Sequence, residues 1–591
     1  MYNTISFEGN KPLIIGVIPQ YPEHTKQNIY GNVRMPPVGI ISVLTQIAKD
    51  SKFDVYAIDE NNYKGPVIEK MPDHLALQKI RPAKIAMFYG GMSNSIVRMF
   101  TVAKQYQLMG IPTIAGGSHV DALPREALNS GIDIVVHGEG EETARELVKT
   151  ILKNNESTVN YKTDLENIVG ISFLNEQNEY IFTGNRTPIS DLDTLESPDL
   201  NIIKFMEKDL SSTPINRGRG CNYSCEFCVV NKQYGKYKAV SVKKTFDYLK
   251  QQIESEHKNF FFTDDNFAQN IPETIELCKM IGDYRHKFKK RINIMAQVRS
   301  EVAENDELLD AMKYAGVASL AIGYESPINE ELKSMRKGVT AEQLMARSKK
   351  LSKSFYLHGM FIFGYPEFQG SKYKSLLSLK QKAKVYTTFF RKAKIDSVQV
   401  FKAVPLPGSE LRRKLKSENR IPSQTDIGWD KYDGLFLCYV PEKGINQSDL
   451  QNTPINLMKK KYLGGFFDRT FNYANWADWA FNFTIGFPFN FSKSYVKNFF
   501  NNFKEKNTHI KKVFPKKNIF YGSLINAWQD IKKRTRRLAI KTYAGNIFKR
   551  WQKLYKKSDY INVLKNMSLE ARVNLKNAAN SLKNKRKNSS D

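Results

Sequence analysis

Short apolar runs alternate with amphipathic helices twice along this chain, over 12–153 and again over 212–402. Each run is a series of strand–helix units, and such units build parallel sheets covered by helices. A chain of 591 residues is too long for one ordinary core, so several domains are expected. A composition of 41% hydrophobic and 25% charged residues is that of a globular protein.

The first run opens with a strand at Leu13–Ile18 and a helix at Val38–Ala48, whose Ile40, Ile41, Leu44 and Ile47 share one face. Strands follow at Asp54–Ile58, Ile85–Phe88, Pro112–Ala115 and Ile132–Val136, and a last helix carries Leu147, Val148, Ile151 and Leu152. Five such units imply a doubly wound parallel sheet, in which ligands sit beyond the carboxyl ends of the strands. Ser93, Gly116, Gly117, His119, Gly138, Glu139, Gly140 and Glu141 all fall at those ends. A lone glycine there only makes a tight turn, but four such loops on one edge point to a ligand site.

Residues 156–205 read as a linker with a small hairpin. In the second run, strands start near Pro214, Asn259, Ile292, Ala318, Tyr356 and Ser397. Six units suggest a partial (β/α)6 barrel, open at the side, rather than a closed barrel of eight. The expected divisions are therefore 1–155, 156–205, 206–430 and a mainly helical 431–591.

Three of the five cysteines fall within eight positions, in Arg217-Gly-Arg-Gly-Cys221-Asn-Tyr-Ser-Cys225-Glu-Phe-Cys228. The segment follows the first barrel strand, on the face where catalytic loops gather. Such spacing lets one short loop wrap three thiolates around one inorganic cluster. A four-iron cluster needs four ligands, so one iron is left open to a small molecule. Zinc is the bland alternative, but it prefers four ligands in two pairs, and no second pair follows.

On these residues the chain resembles the radical S-adenosylmethionine (SAM) superfamily, whose C-x3-C-x2-C loop this is. The resemblance runs from about Pro214 to Asp433. It implies that Cys221, Cys225 and Cys228 hold a 4Fe-4S cluster whose open iron chelates SAM. One electron then cleaves SAM to methionine and a 5′-deoxyadenosyl radical that abstracts hydrogen from carbon. The resemblance also assigns Phe227, the strand-end pair Asp264 and Asp265, Gln297 and Arg299, and Glu325 and Ser326 to the surroundings of SAM. A flavodoxin or ferredoxin is the expected electron donor.

Residues 12–153 resemble the cobalamin-binding domain that precedes the barrel in one radical SAM class. The matching pieces are Pro36-Pro37-Val38-Gly39, Gly116-Gly117-Ser118-His119 and Gly138-Glu139-Gly140-Glu141-Glu142. The resemblance implies cobalamin at Ser93, Gly116, Gly117, His119 and Gly138 to Glu141, with no histidine below cobalt. It further implies C-methylation of an unactivated carbon. A radical cyclase or rearrangement enzyme, or a non-catalytic iron–sulfur scaffold, stays open beside it.

The formal net charge is +30, and residues 441–591 alone hold 31 Lys+Arg against 9 Asp+Glu. A basic amphipathic helix is expected over 531–555, with an aromatic stretch at 481–500 ahead of it. These features suit an anionic membrane surface, and with it a lipid or other hydrophobic small-molecule substrate. Packing on the barrel is the plainer reading. Nucleic acid is disfavoured because no binding motif accompanies the charge. No secretory signal is recognised and no window approaches a span of ~20 apolar residues. A cytoplasmic protein, peripheral at the inner face of the membrane, is the expectation.

Overall fold

In the computed structural model, residues 9–23, 34–154 and 161–463 are described. The N-terminal sheet takes its strands from β1 (Leu13–Ile18), β2 (Asp54–Asp59), β3 (Ala83–Tyr89), β4 (Thr113–Gly116), β5 (Ile134–Val136), β6 (Ile171–Leu174), β7 (Tyr180–Phe182) and β8 (Ile203–Lys204). Their order is β8-β2-β1-β3-β4-β5-β6-β7. Pairing is parallel from β8 to β5 and antiparallel through β6 and β7. The order reverses direction between β1 and β3, as the doubly wound reading requires.

Every residue of β1 is buried, as befits a central strand covered on both faces. Helix α1 (Val38–Ala48) lays Ile40, Ile41, Leu44 and Ile47 on one side of the sheet, beside Leu147, Val148 and Ile151 of α2 (Glu141–Asn154). The segment 156–205, expected as a linker, is part of this domain: its hairpin extends one end of the sheet and β8 closes the other. Backbone pairing explains why, since a hairpin beside the short β5 satisfies an edge that would otherwise face solvent.

The second sheet comprises β9 (Thr213–Ile215), β10 (Asn259–Phe262), β11 (Asn293–Val298), β12 (Val317–Glu325), β13 (Tyr356–Phe363) and β14 (Ser397–Lys402). All are parallel and lie in chain order, so the barrel is partial, with β9 and β14 as its two edges. The crossover helices start on side-chain caps, Asn270 on the Glu273 amide and Asn305 on the Leu308 amide.

Register divides the strands into two faces. Phe260, Phe262, Ile294, Leu320, Ile322, Leu357, Phe361 and Phe363 point to the helices and are buried. Their inward neighbours Phe261, Met295, Met360, Ile362 and Phe401 are only half-buried. The inward face of the barrel is therefore less tightly covered than the outer one, and apolar side chains line part of it. On this face buried His358 meets Ser397 Oγ at 2.9 Å and Gln399 Oε1 at 3.3 Å.

Residues 455–550 form a separate unit, described only to Leu463, where the helix Gln447–Leu463 ends. No described helix is long and apolar enough to cross a membrane. The stretch 481–500 and the basic helix expected over 531–555 lie outside the described residues.

Candidate active site

The cysteine loop leaves β9 through a two-residue ribbon, Gly218–Arg219, paired antiparallel with Lys238–Ala239. Inside it, the Asn231 amide donates to Cys221 O at 2.9 Å and Cys228 N donates to Cys225 O at 3.1 Å. All three cysteines are half-buried. Burial pushes the Cys221 thiol up and that of Cys228 to about 11, and each neighbouring sulfur adds to the rise. A cationic centre such as an iron–sulfur cluster would offset the rise at Cys221 and Cys228. No trio of His, Cys, Asp or Glu among the described residues closes tightly enough to hold a single metal ion.

The acidic pair after β10 divides. Asp264 accepts the Gly218 amide and lies beside Arg217. It braces the cysteine loop through Oδ1, while Oδ2 is buried with no hydrogen-bond partner among the described residues, and burial pushes the carboxyl up to about 7. Asp265 continues the inward face and is close enough to Cys221 and Cys228 to raise both thiols. Burial alone pushes its carboxyl to about 6, with no cation among the described residues to offset it. That is the environment an incoming ammonium group would relieve.

Gln297 reaches the Asp265 carbonyl at 3.4 Å, on the same inward face. Arg299 lies over the Tyr223 ring at 3.7 Å, within the cysteine loop, and Glu301 holds it from the other side at 2.7 Å. Glu325 sits at a bulge in β12 with φ +59° and is paired with Lys337 at 2.9 Å. The Ser326 hydroxyl is fully buried, supports the Ile328 amide at 3.1 Å and accepts from Tyr386 Oη at 3.1 Å. Phe227 is half-buried beside Glu226, whose carboxylate pairs with Lys414.

On the N-terminal sheet, Gly117 has φ +120°, and a Cβ there would fall 2.5 Å from the Gly91 nitrogen. Two strand-end loops are thus in backbone contact, which only glycine permits. Gly116 closes β4, and Gly140 lies over Val43 and Val136. Gly138 has φ +66° with nothing within 4 Å of where a Cβ would stand, so this backbone faces open space. His119 is engaged at both nitrogens, by Ser93 Oγ at 2.9 Å and Glu126 Oε2 at 3.3 Å. Burial holds it neutral, and its ring stands edge-on to Trp429 at 4.6 Å. Trp429 in turn donates to Glu126 at 2.7 Å.

Glu139 and Glu141 grip the approach to the cysteine loop. Arg219 meets Glu139 at 3.1 Å and Glu141 at 2.5 Å, and Lys238 meets Glu139 at 2.6 Å. Burial would raise the Glu141 carboxyl, but the Arg219 guanidinium outweighs it and holds the group below its usual range. Arg219 stands two residues before Cys221, so the cysteine loop is fastened to the N-terminal sheet. Tyr223, Lys337 and Arg219 were given no role by the sequence alone, whereas Trp429 stands out there as a residue at the domain junction. Of the first three, only Arg219 gave a hint, as a basic residue inside the glycine-rich approach to the cysteines.

Residues 215–378 match the family model of the radical SAM superfamily. The chain is a radical SAM enzyme, and its domain carries a 4Fe-4S cluster and SAM. Its fold is that of the cobalamin-dependent branch. It superposes on the cobalamin-dependent SAM radical enzyme OxsB with a TM-score of 0.58 at 15% identity, over 96% of this chain and 81% of that one. It is 27% identical over 355 residues to an uncharacterised methyltransferase of Pyrococcus horikoshii, covering 58% of this chain and 70% of that protein. It is 26% identical over 307 residues to the anaerobic magnesium-protoporphyrin IX monomethyl ester cyclase of Cereibacter sphaeroides, covering 50% of this chain and 47% of that protein.

Proposed function

We propose that this enzyme holds cobalamin on its N-terminal sheet and methylates an unactivated carbon of a largely apolar substrate bound inside the barrel. The observation that carries the reading is the fastening of the two carboxyl edges to each other, Arg219 to Glu139 and Glu141 and Trp429 to Glu126. It brings the strand-end loop that holds Gly138 beside the approach to the cysteine loop. When bound, the cofactors supply hydrogen abstraction from carbon and a transferable methyl group. The protein's own part is to orient and exclude. Asp265 and Gln297 stand where the polar end of SAM needs partners, and Phe261, Met295, Met360, Ile362 and Phe401 present an apolar wall to substrate. His119 has both nitrogens engaged, which leaves it no lone pair for cobalt and fits a cofactor free of a lower histidine.

A cyclase reading has its own support, since one of the relatives is named as a cyclase. The experiment is an anaerobic turnover with methyl-labelled SAM, cobalamin, reduced flavodoxin and a panel of hydrophobic acceptors. Label in the product, together with 5′-deoxyadenosine, is the expected result. Unlabelled product with 5′-deoxyadenosine would replace methylation by ring closure, and no 5′-deoxyadenosine at all would defeat both.

A further inference from the structure

The base of the barrel, opposite the cysteine loop, carries charge that the chemistry above does not use. In a parallel barrel all amino-terminal strand ends share one face. The segments leading into β10 to β14, at 254–258, 285–291, 313–316, 352–355 and 391–396, hold eleven Lys+Arg against three Asp+Glu. Lys258, Lys287, Lys289, Arg291, Lys392 and Lys394 are exposed. A helix C-terminus favours a nearby cation, which accounts for Lys313, itself paired with Asp310. It does not account for five cations within 285–291. Nor does it account for Phe288, which stands among them 52% exposed with Lys287 Nζ 5.4 Å from its ring centroid.

From this arrangement we infer that the basal face docks on an anionic bilayer, with Phe288 entering the headgroup region and the surrounding Lys and Arg meeting lipid phosphates. An acidic electron-donor protein fits less well. The six residues of β11 put about 20 Å between this face and the cysteine loop at the other end of the strands. A broad field of cations with an exposed aromatic among them is what a membrane surface requires.

The test is flotation of the full chain with vesicles of phosphatidylcholine alone or mixed with phosphatidylglycerol. Wild type is expected to float only with the anionic vesicles and to be released by salt. Replacing Lys287, Lys289 and Arg291 together by Gln is expected to weaken partitioning by roughly a hundredfold, and Phe288→Ser by severalfold. Iron loading and SAM cleavage should be unchanged, which certifies the fold. Undiminished flotation of the triple variant, as when the basic C-terminal region alone binds lipid, would overturn the proposal. So would equal flotation with neutral vesicles, or binding to nucleic acid or an acidic protein in place of lipid.

Discussion

At the carboxyl edge of the N-terminal sheet the polar side chains are engaged with one another or with the barrel: Ser93 and Glu126 with His119, and Glu139 and Glu141 with Arg219. What this edge leaves open is backbone, at Gly138. At the carboxyl edge of the barrel the reverse holds. Asp265 and three cysteines are half-enclosed, and burial raises the carboxyl and two of the thiols, Cys221 and Cys228, a rise that nearby Arg299 offsets only in part at Cys221. One edge is shaped for a large group recognised by contour, the other for small charged ligands that relieve its electrostatics.

The strongest way to break this contrast is at the thiolates. Cys225→Ala should abolish iron retention and 5′-deoxyadenosine formation, read by iron analysis and by chromatography after reduction with SAM. Next comes the clamp between the edges. Arg219→Met leaves the buried Glu141 carboxylate without its counter-ion, Glu139 keeping Lys238, and should cost about 3–5 kcal/mol in denaturant unfolding of the apo protein, while Arg219→Lys should recover part of that loss. Wild-type stability in the methionine variant would mean that the two edges are not fastened by charge.

The acidic pair sharpens the comparison within the barrel itself. Asp265→Asn should weaken SAM binding to cluster-loaded enzyme by roughly ten- to a hundredfold, the weight of a hydrogen bond to a charged group, whereas Asp264→Asn should leave it nearly unchanged. Asp264 has a pH signature instead. Its folded-state value of about 7 lies above its unfolded one, so the folded state binds the extra proton between them. Apo-protein stability should therefore fall as pH rises from about 4 to about 7, and Asp264→Asn should flatten that slope. The smallest effects belong to the glycine edge. Gly117→Ala meets backbone and should cost about 3 kcal/mol. Gly138→Ala meets nothing and should cost only about 1 kcal/mol, yet should weaken cobalamin binding measured by absorbance titration.

The elements themselves were legible in the sequence because periodicity is local. Leu13–Ile18 and Val38–Ala48 stand where alternation and helical spacing put them, and all six barrel strands start within a residue of expectation. Partners were not legible, because pairing is set by distant residues. The hairpin at 171–182 shows two short strands but not the edge they join. Glu139 and Glu141 look like ligand residues until Arg219, some eighty positions away, is found against them. Asp264 and Asp265 are adjacent in sequence, yet one is buried against the Gly218 amide and the other half-buried near the cysteines, because both lie past the end of β10, where no strand period foretells direction.

The grip of Arg219 has a consequence for how such a protein can be divided or rebuilt. Its three blocks look interchangeable along the chain, yet the loop that bears the cysteines finishes its fold against carboxylates from another block. A barrel expressed alone would inherit an arginine with no counter-ion beside its metal loop. A chimera would keep that loop in shape only if the donor sheet brought acids to the positions of Glu139 and Glu141.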